Sequence, residues 1–143
     1  MRTLFIIATT VLVLFFASCS KNNELPGDST FKLNDTLELV IDKSAVNNEN
    51  QLTITIDSVL NDSRCPGNAI CVWAGNAAVR FLFVNNETEH KFVLNTHGGT
   101  SFPQDTLLDG YAIRLVNLNP YPMTDNQIKQ EDYVAELLIT KIQ

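Results

Sequence analysis

The chain has 143 residues, 45% of them apolar, with 10 basic against 16 acidic residues and a formal net charge of −6. That length holds one domain with a proper core and is too short for two. The acidic balance argues against a nucleic-acid partner, whose phosphates require a basic face, and serves mainly to keep the protein soluble.

Arg2 followed by the apolar run Leu4 to Phe16 has the layout of a secretory signal. The run falls short of the ~20 residues that a membrane-spanning helix needs. Residues 1–18 are therefore expected to direct export and to be removed. They end in Phe16-Ala17-Ser18-Cys19, which resembles the lipobox of bacterial lipoproteins, with phenylalanine where leucine is usual. The resemblance implies that Cys19 becomes the first mature residue and carries acyl chains of the palmitate type. The protein is then expected in the cell envelope, anchored to the outer membrane. Lys21-Asn22-Asn23-Glu24 is a poor version of the acidic run that sends such proteins to the surface, so periplasmic and outward-facing placements both stand. The stretch from Cys19 to Thr30 is polar, contains Pro26 and Gly27, and reads as a lipidated cysteine with a flexible tether.

Residues 31–143 read as a run of strands. In Gln51 to Leu60, Leu52, Ile54 and Ile56 alternate with Thr53, Thr55 and Asp57, the period of a half-buried strand. Leu37, Leu39 and Ile41 repeat the pattern upstream. Val79, Phe81 and Phe83, the turn Asn85-Asn86-Glu87, and His90, Phe92 and Leu94 predict a hairpin. Ile113 and Leu115 mark a further strand. Tyr133 to Ile142 marks the last, whose two apolar faces predict a central position. Thr124-Asp125-Asn126-Gln127 fits a capping box and predicts one helical turn through about Gln130. Two joints, His97 to Asp109 and Asn119 to Tyr133, are longer than a hairpin requires and are where binding residues sit most easily. The fold expected is all-β: a single antiparallel β-sandwich or small β-barrel of about six to seven strands.

The most informative stretch is Ser63 to Gly75, S-R-C-P-G-N-A-I-C-V-W-A-G. Five residues separate Cys65 from Cys71, among them the turn formers Pro66 and Gly67, which lets the chain reverse and bring two sulfurs together. A disulfide is the leading expectation; free thiols or a metal site are the alternatives. With Cys19 acylated, Cys65 and Cys71 are left to pair in an oxidising compartment. No metal site and no cofactor are expected, because His90 and His97 lie far downstream and no C-x-x-C pair occurs. A nucleophile elbow, a zincin helix, a P-loop and a dinucleotide fingerprint are all missing, so the chain is read as not an enzyme.

Asp62-Ser63-Arg64-Cys65-Pro66 followed by Cys71-Val72-Trp73-Ala74-Gly75 resembles a motif, D-S-R-C-P-x4-C-V-W-A-G, of small uncharacterised lipoproteins from Bacteroidota-type bacteria. Asn119-Pro120-Tyr121-Pro122 and the strand after Tyr133 are similar to that group as well. The resemblance implies an exported β domain with one disulfide and brings no established activity. The function expected is a non-catalytic, lipid-anchored envelope protein. It touches the membrane through its anchor and binds a protein or ligand through its loops, the protein being a protease or part of an envelope complex. The candidate contact residues are Pro66, Gly67, Asn68, Ala69 and Ile70 of the bridged loop, and Tyr121, read as a lid over one end of the core. Two other functions compete. One is a protease inhibitor offering the stiffened Pro66–Ile70 loop to a cleft; the other is a hydrolase built on loop carboxylates.

Overall fold

The computed structural model describes residues 29–143, so the expected signal segment, Cys19 and most of the expected tether lie outside the described residues. The strands are β1 (Ser29–Thr30), β2 (Thr36–Val40), β3 (Ser44–Asn47), β4 (Leu52–Asp62), β5 (Ala77–Asn85), β6 (Thr88–Asn95), β7 (Asp105–Leu108), β8 (Tyr111–Asn119) and β9 (Val134–Lys141). They form a five-stranded sheet in the order β1-β3-β4-β5-β6 and a four-stranded sheet in the order β2-β9-β8-β7. Neither sheet closes on itself, and the two stack as a sandwich. All neighbours are antiparallel except β1, which runs parallel to β3.

The period of two fixes which side chains fill the space between the sheets. Leu52, Ile54 and Ile56 of β4 and Val79, Phe81 and Phe83 of β5 are buried from one side. Leu39, Ile113, Leu115, Leu137 and Ile139 are buried from the other. Phe81 stacks on Phe92 at 5.6 Å between ring centres, and Phe83 meets the edge of Tyr111 at 6.0 Å. β9 does sit inside its sheet, between β2 and β8, with Val134 and Leu138 half-buried on the second face. It ends at Lys141, one residue before Ile142, which is exposed.

Some expectations need correction. Among the described residues nine strands replace six or seven, because β1, β3 and β7 have at most four residues each and are too short to show a period. β1 takes Ser29 and Thr30 from the supposed tether, and β7 occupies part of the supposed His97–Asp109 joint. The helical turn comes later than expected, as a 3-10 turn at Gln130–Asp132. Thr124 is unavailable as a cap: its hydroxyl accepts from Asn68 Nδ2 and its backbone N–H donates to Asn68 Oδ1, both at 2.9 Å.

β4 outruns its neighbour β3, which pairs only with Leu52 to Thr55. Past that point the Asp42 N–H donates to the Ile56 carbonyl at 3.1 Å. The Gln130 side-chain amide then accepts from the Val59 N–H at 3.0 Å and donates to the Val59 carbonyl at 2.7 Å. A side chain thus takes the place of a neighbouring strand where β4 bulges, between Ile56 and Asn61.

The strand directions give the sandwich two distinct ends. β4, β6 and β8 finish at the disulfide end, where the chain continues into residues 63–76, 96–104 and 120–133. The opposite, hairpin end carries the turns at Asn48–Gln51, Asn86–Glu87 and Asp109–Gly110.

Candidate functional site

At the disulfide end the β4–β5 ladder continues past its strands. The Ser63 N–H donates to the Asn76 carbonyl and the Cys65 N–H to the Ala74 carbonyl, each at 2.8 Å. Gly75 makes this approach possible. Its φ of +74° suits glycine, and a Cβ there would run into the Ser63 carbonyl. At the tip Cys65 and Cys71 form the expected disulfide, with Cα atoms 6.0 Å apart.

The bridged loop leans on the segment after β8. The Gly67 N–H donates to the Pro122 carbonyl at 2.9 Å, and Asn68 exchanges its two hydrogen bonds with Thr124. A Cβ on Gly67 would press on the Met123 sulfur at 3.3 Å. The peptide between Asn119 and Pro120 is cis. Sequence reasoning placed the bridged loop and Tyr121 separately among the binding candidates; the structure brings them side by side.

Arg64 ties the two loops together. It is buried, and its guanidinium donates to Asp62 through Nε at 2.8 Å and Nη2 at 2.6 Å. It also donates to the Leu118 carbonyl through Nη1 and to the Pro120 carbonyl through Nη2 at 2.9 Å. Such a fork suits arginine and not lysine, since several fixed donors must reach acceptors at the same time. The Tyr133 hydroxyl donates to Asp62 Oδ2 at 3.0 Å. Burial by itself would raise the Asp62 carboxyl, but the hydrogen bonds and charge of Arg64, with help from Tyr133, outweigh it and hold the group below its ordinary value. Burial first, and then the neighbouring carboxylate, push Tyr133 up to about 12. Among the described residues every buried side-chain polar atom has a hydrogen-bond partner. The cluster is spent on its own members and on strand-end carbonyls.

Tyr121 is not the lid expected. Its ring lies 5.1 Å from the Arg64 guanidinium carbon, so it caps a charge and not the apolar core. A small cleft of about 140 Å³ beside it is lined by Thr96, His97 and Asn117. His90 sits at the other end of the molecule, in β6, with Nε2 2.6 Å from Asp109.

What projects from this frame is apolar. Ile70 and Val72 are fully exposed, at 105% and 106%, and Trp73 is exposed at 65%. Cys71 and Ala74 are exposed too, so Ile70 to Ala74 forms an unbroken exposed run, and no residue from Cys65 to Val79 carries a charge. Phe102, Tyr121 and Met123, also exposed, lie on the neighbouring loops of the same end. Of the candidates read from sequence, Pro66 and Ala69 are half-buried, and Gly67 and Asn68 are exposed but bonded to the 122–124 segment. Only Ile70 is both exposed and unengaged. Val72 and Trp73 were missed. The signal for them was in the motif: a tryptophan and a valine just outside a bridge too small to bury either. Comparison with protein-family models, with characterised proteins and with solved structures returns no match to this chain.

Proposed function

We propose that this chain is a non-catalytic protein of the cell envelope, held by a lipid on Cys19, whose sandwich binds another molecule through its disulfide end. The anchor and the location rest on the signal-like first 18 residues and on Phe16-Ala17-Ser18-Cys19. The D-S-R-C-P-x4-C-V-W-A-G motif supports placing the chain in the lipoprotein family it resembles. The binding role rests on one observation, the exposed apolar run Ile70 to Ala74 on a frame fixed by Arg64, Asn68 and the disulfide. A contiguous exposed apolar run marks a surface that another molecule covers. Because the frame is already ordered, little conformational entropy is lost when it is covered.

The inhibitor reading would now rest on Ile70, since the rest of the bridged loop is engaged with its neighbours. A hydrolase reading lacks a focus, because Asp62, a half-buried carboxylate at the disulfide end, is already committed to Arg64 and Tyr133.

The test is photo-crosslinking in cells. A photoreactive amino acid replacing Val72 is expected to give adducts, while the same probe replacing Glu87 at the hairpin end gives far fewer. Equal labelling from both positions would refute binding through the disulfide end.

A further inference from the structure

We infer that what covers the disulfide end is the lipid surface from which the chain is tethered, with Ile70, Val72 and Trp73 entering the headgroup region. This rests on the reading above and names the partner of that surface.

The first support is direction. β4 runs toward the disulfide end, β3 is antiparallel to it, and β1 is parallel to β3. β1 therefore runs away from the disulfide end, and Ser29, its first residue, is on the disulfide side of Thr30.

The second is length. Ser29 is level with Ala45 and, across β3, with Ile54. From Ile54 to the end of β4 at Asp62 is about 26 Å along the strand. The chain from Cys19 to Ser29 spans at most about 36 Å. A straight tether therefore carries the lipid only about 10 Å past the end of β4, where the bridged loop already projects. A folded partner, with a radius of gyration of about 13 Å for 100 residues, does not fit into that gap.

The third is chemistry. The projecting run has no charge to desolvate, and it carries the only tryptophan of the chain. Tryptophan concentrates at membrane–water interfaces, where an apolar ring and a polar N–H both find their surroundings. Asp125, Glu131 and Asp132 outnumber Lys129 on the neighbouring 119–133 segment. Attraction to anionic headgroups is therefore not the driving force, and contact depends little on salt. An acylated cysteine plus an inserted apolar tip gives two attachments, the combination that holds a peripheral protein stably.

The lone tryptophan supplies the probe. The mature lipidated protein is reconstituted in phosphatidylcholine vesicles whose acyl chains carry bromine. Trp73 emission is expected to shift to the blue and to be quenched, equally at low and high salt. Ile70→Ser/Val72→Ser, which keeps Trp73 and changes only exposed side chains, is expected to lose most of the quenching with an unchanged melting midpoint. Each such side chain shifts partitioning about tenfold. Emission indifferent to bromine overturns the inference. If the Val72 photoprobe then captures a protein, the disulfide end binds that protein and only the lipid assignment falls. If the probe captures nothing either, the binding role falls with it.

Discussion

The two ends of the sandwich join the same strands, one through tight turns and the other through long loops, and come out opposite in character. At the hairpin end the turns are Asn, Asp, Glu, Gln and Gly, and Asn34, Gln51, Asn86 and Asp109 all take positive φ. Polar side chains stabilise such turns locally and leave their backbone in water. A groove of about 780 Å³ between the β1 and β2 edges opens there, with Asp35, Glu38 and Glu49 in its walls against Lys32. At the disulfide end long loops are cross-braced by a covalent bond, a buried arginine and an asparagine. The outermost residues are apolar. The contrast shows that bracing and exposure go together: a loop that must hold apolar side chains out in water has to be kept from folding them in.

The largest expected effect sharpens that contrast. Asp62→Ala strands the Arg64 charge in a buried site and should lower unfolding stability by about 3–5 kcal/mol. His90→Gln, which breaks the partly exposed pair with Asp109 at the hairpin end, should cost under about 1 kcal/mol. Urea titration of both variants checks this, and equal losses would mean that the bracing is not concentrated where the geometry puts it. Next comes the bridge. Cys65→Ser/Cys71→Ser removes a small closed loop worth at most about 2.4 kcal/mol by chain entropy. Hydrogen exchange should quicken over 63–76 and 120–124 and stay unchanged at the 86–87 turn. Uniform quickening would break the comparison.

A further difference concerns pH. Tyr133 is raised to about 12 in the folded chain, against about 10 when unfolded. Its contribution to stability is therefore complete below pH 10 and lost as pH climbs from there through about 12. Tyr133→Phe should flatten that alkaline decline, measured as melting temperature against pH. Asp62 has the reverse sign: its contribution holds above about pH 4 and is lost in more acid solution.

The sheets were readable in the sequence wherever a strand was long enough to repeat its pattern. Leu52-Thr53-Ile54-Thr55-Ile56 shows the inward and outward faces directly, and the two apolar faces of β9 gave away its central place. Ala45 and Val46 of β3 offer too few residues to declare a period. Thr106 and Leu107 of β7 look like loop until Ile113 and Ala112 of β8 pair with them. The bridge was legible because Cys65, Pro66, Gly67 and Cys71 are close in sequence. The Arg64 cluster was not, since it joins Asp62 to carbonyls at 118 and 120 and to Tyr133, and no local pattern encodes a contact over that separation. Tyr121 was misjudged for the same reason: whether an aromatic ring caps a core or a cation depends on what arrives from elsewhere.

Gln130 has a consequence for behaviour in a crowd. Any bare strand flank invites a second copy to zip on and start a fibre. By spending one carboxamide on both main-chain groups of Val59, the chain covers that stretch of β4 without a further strand, and a second copy finds neither group free to pair with.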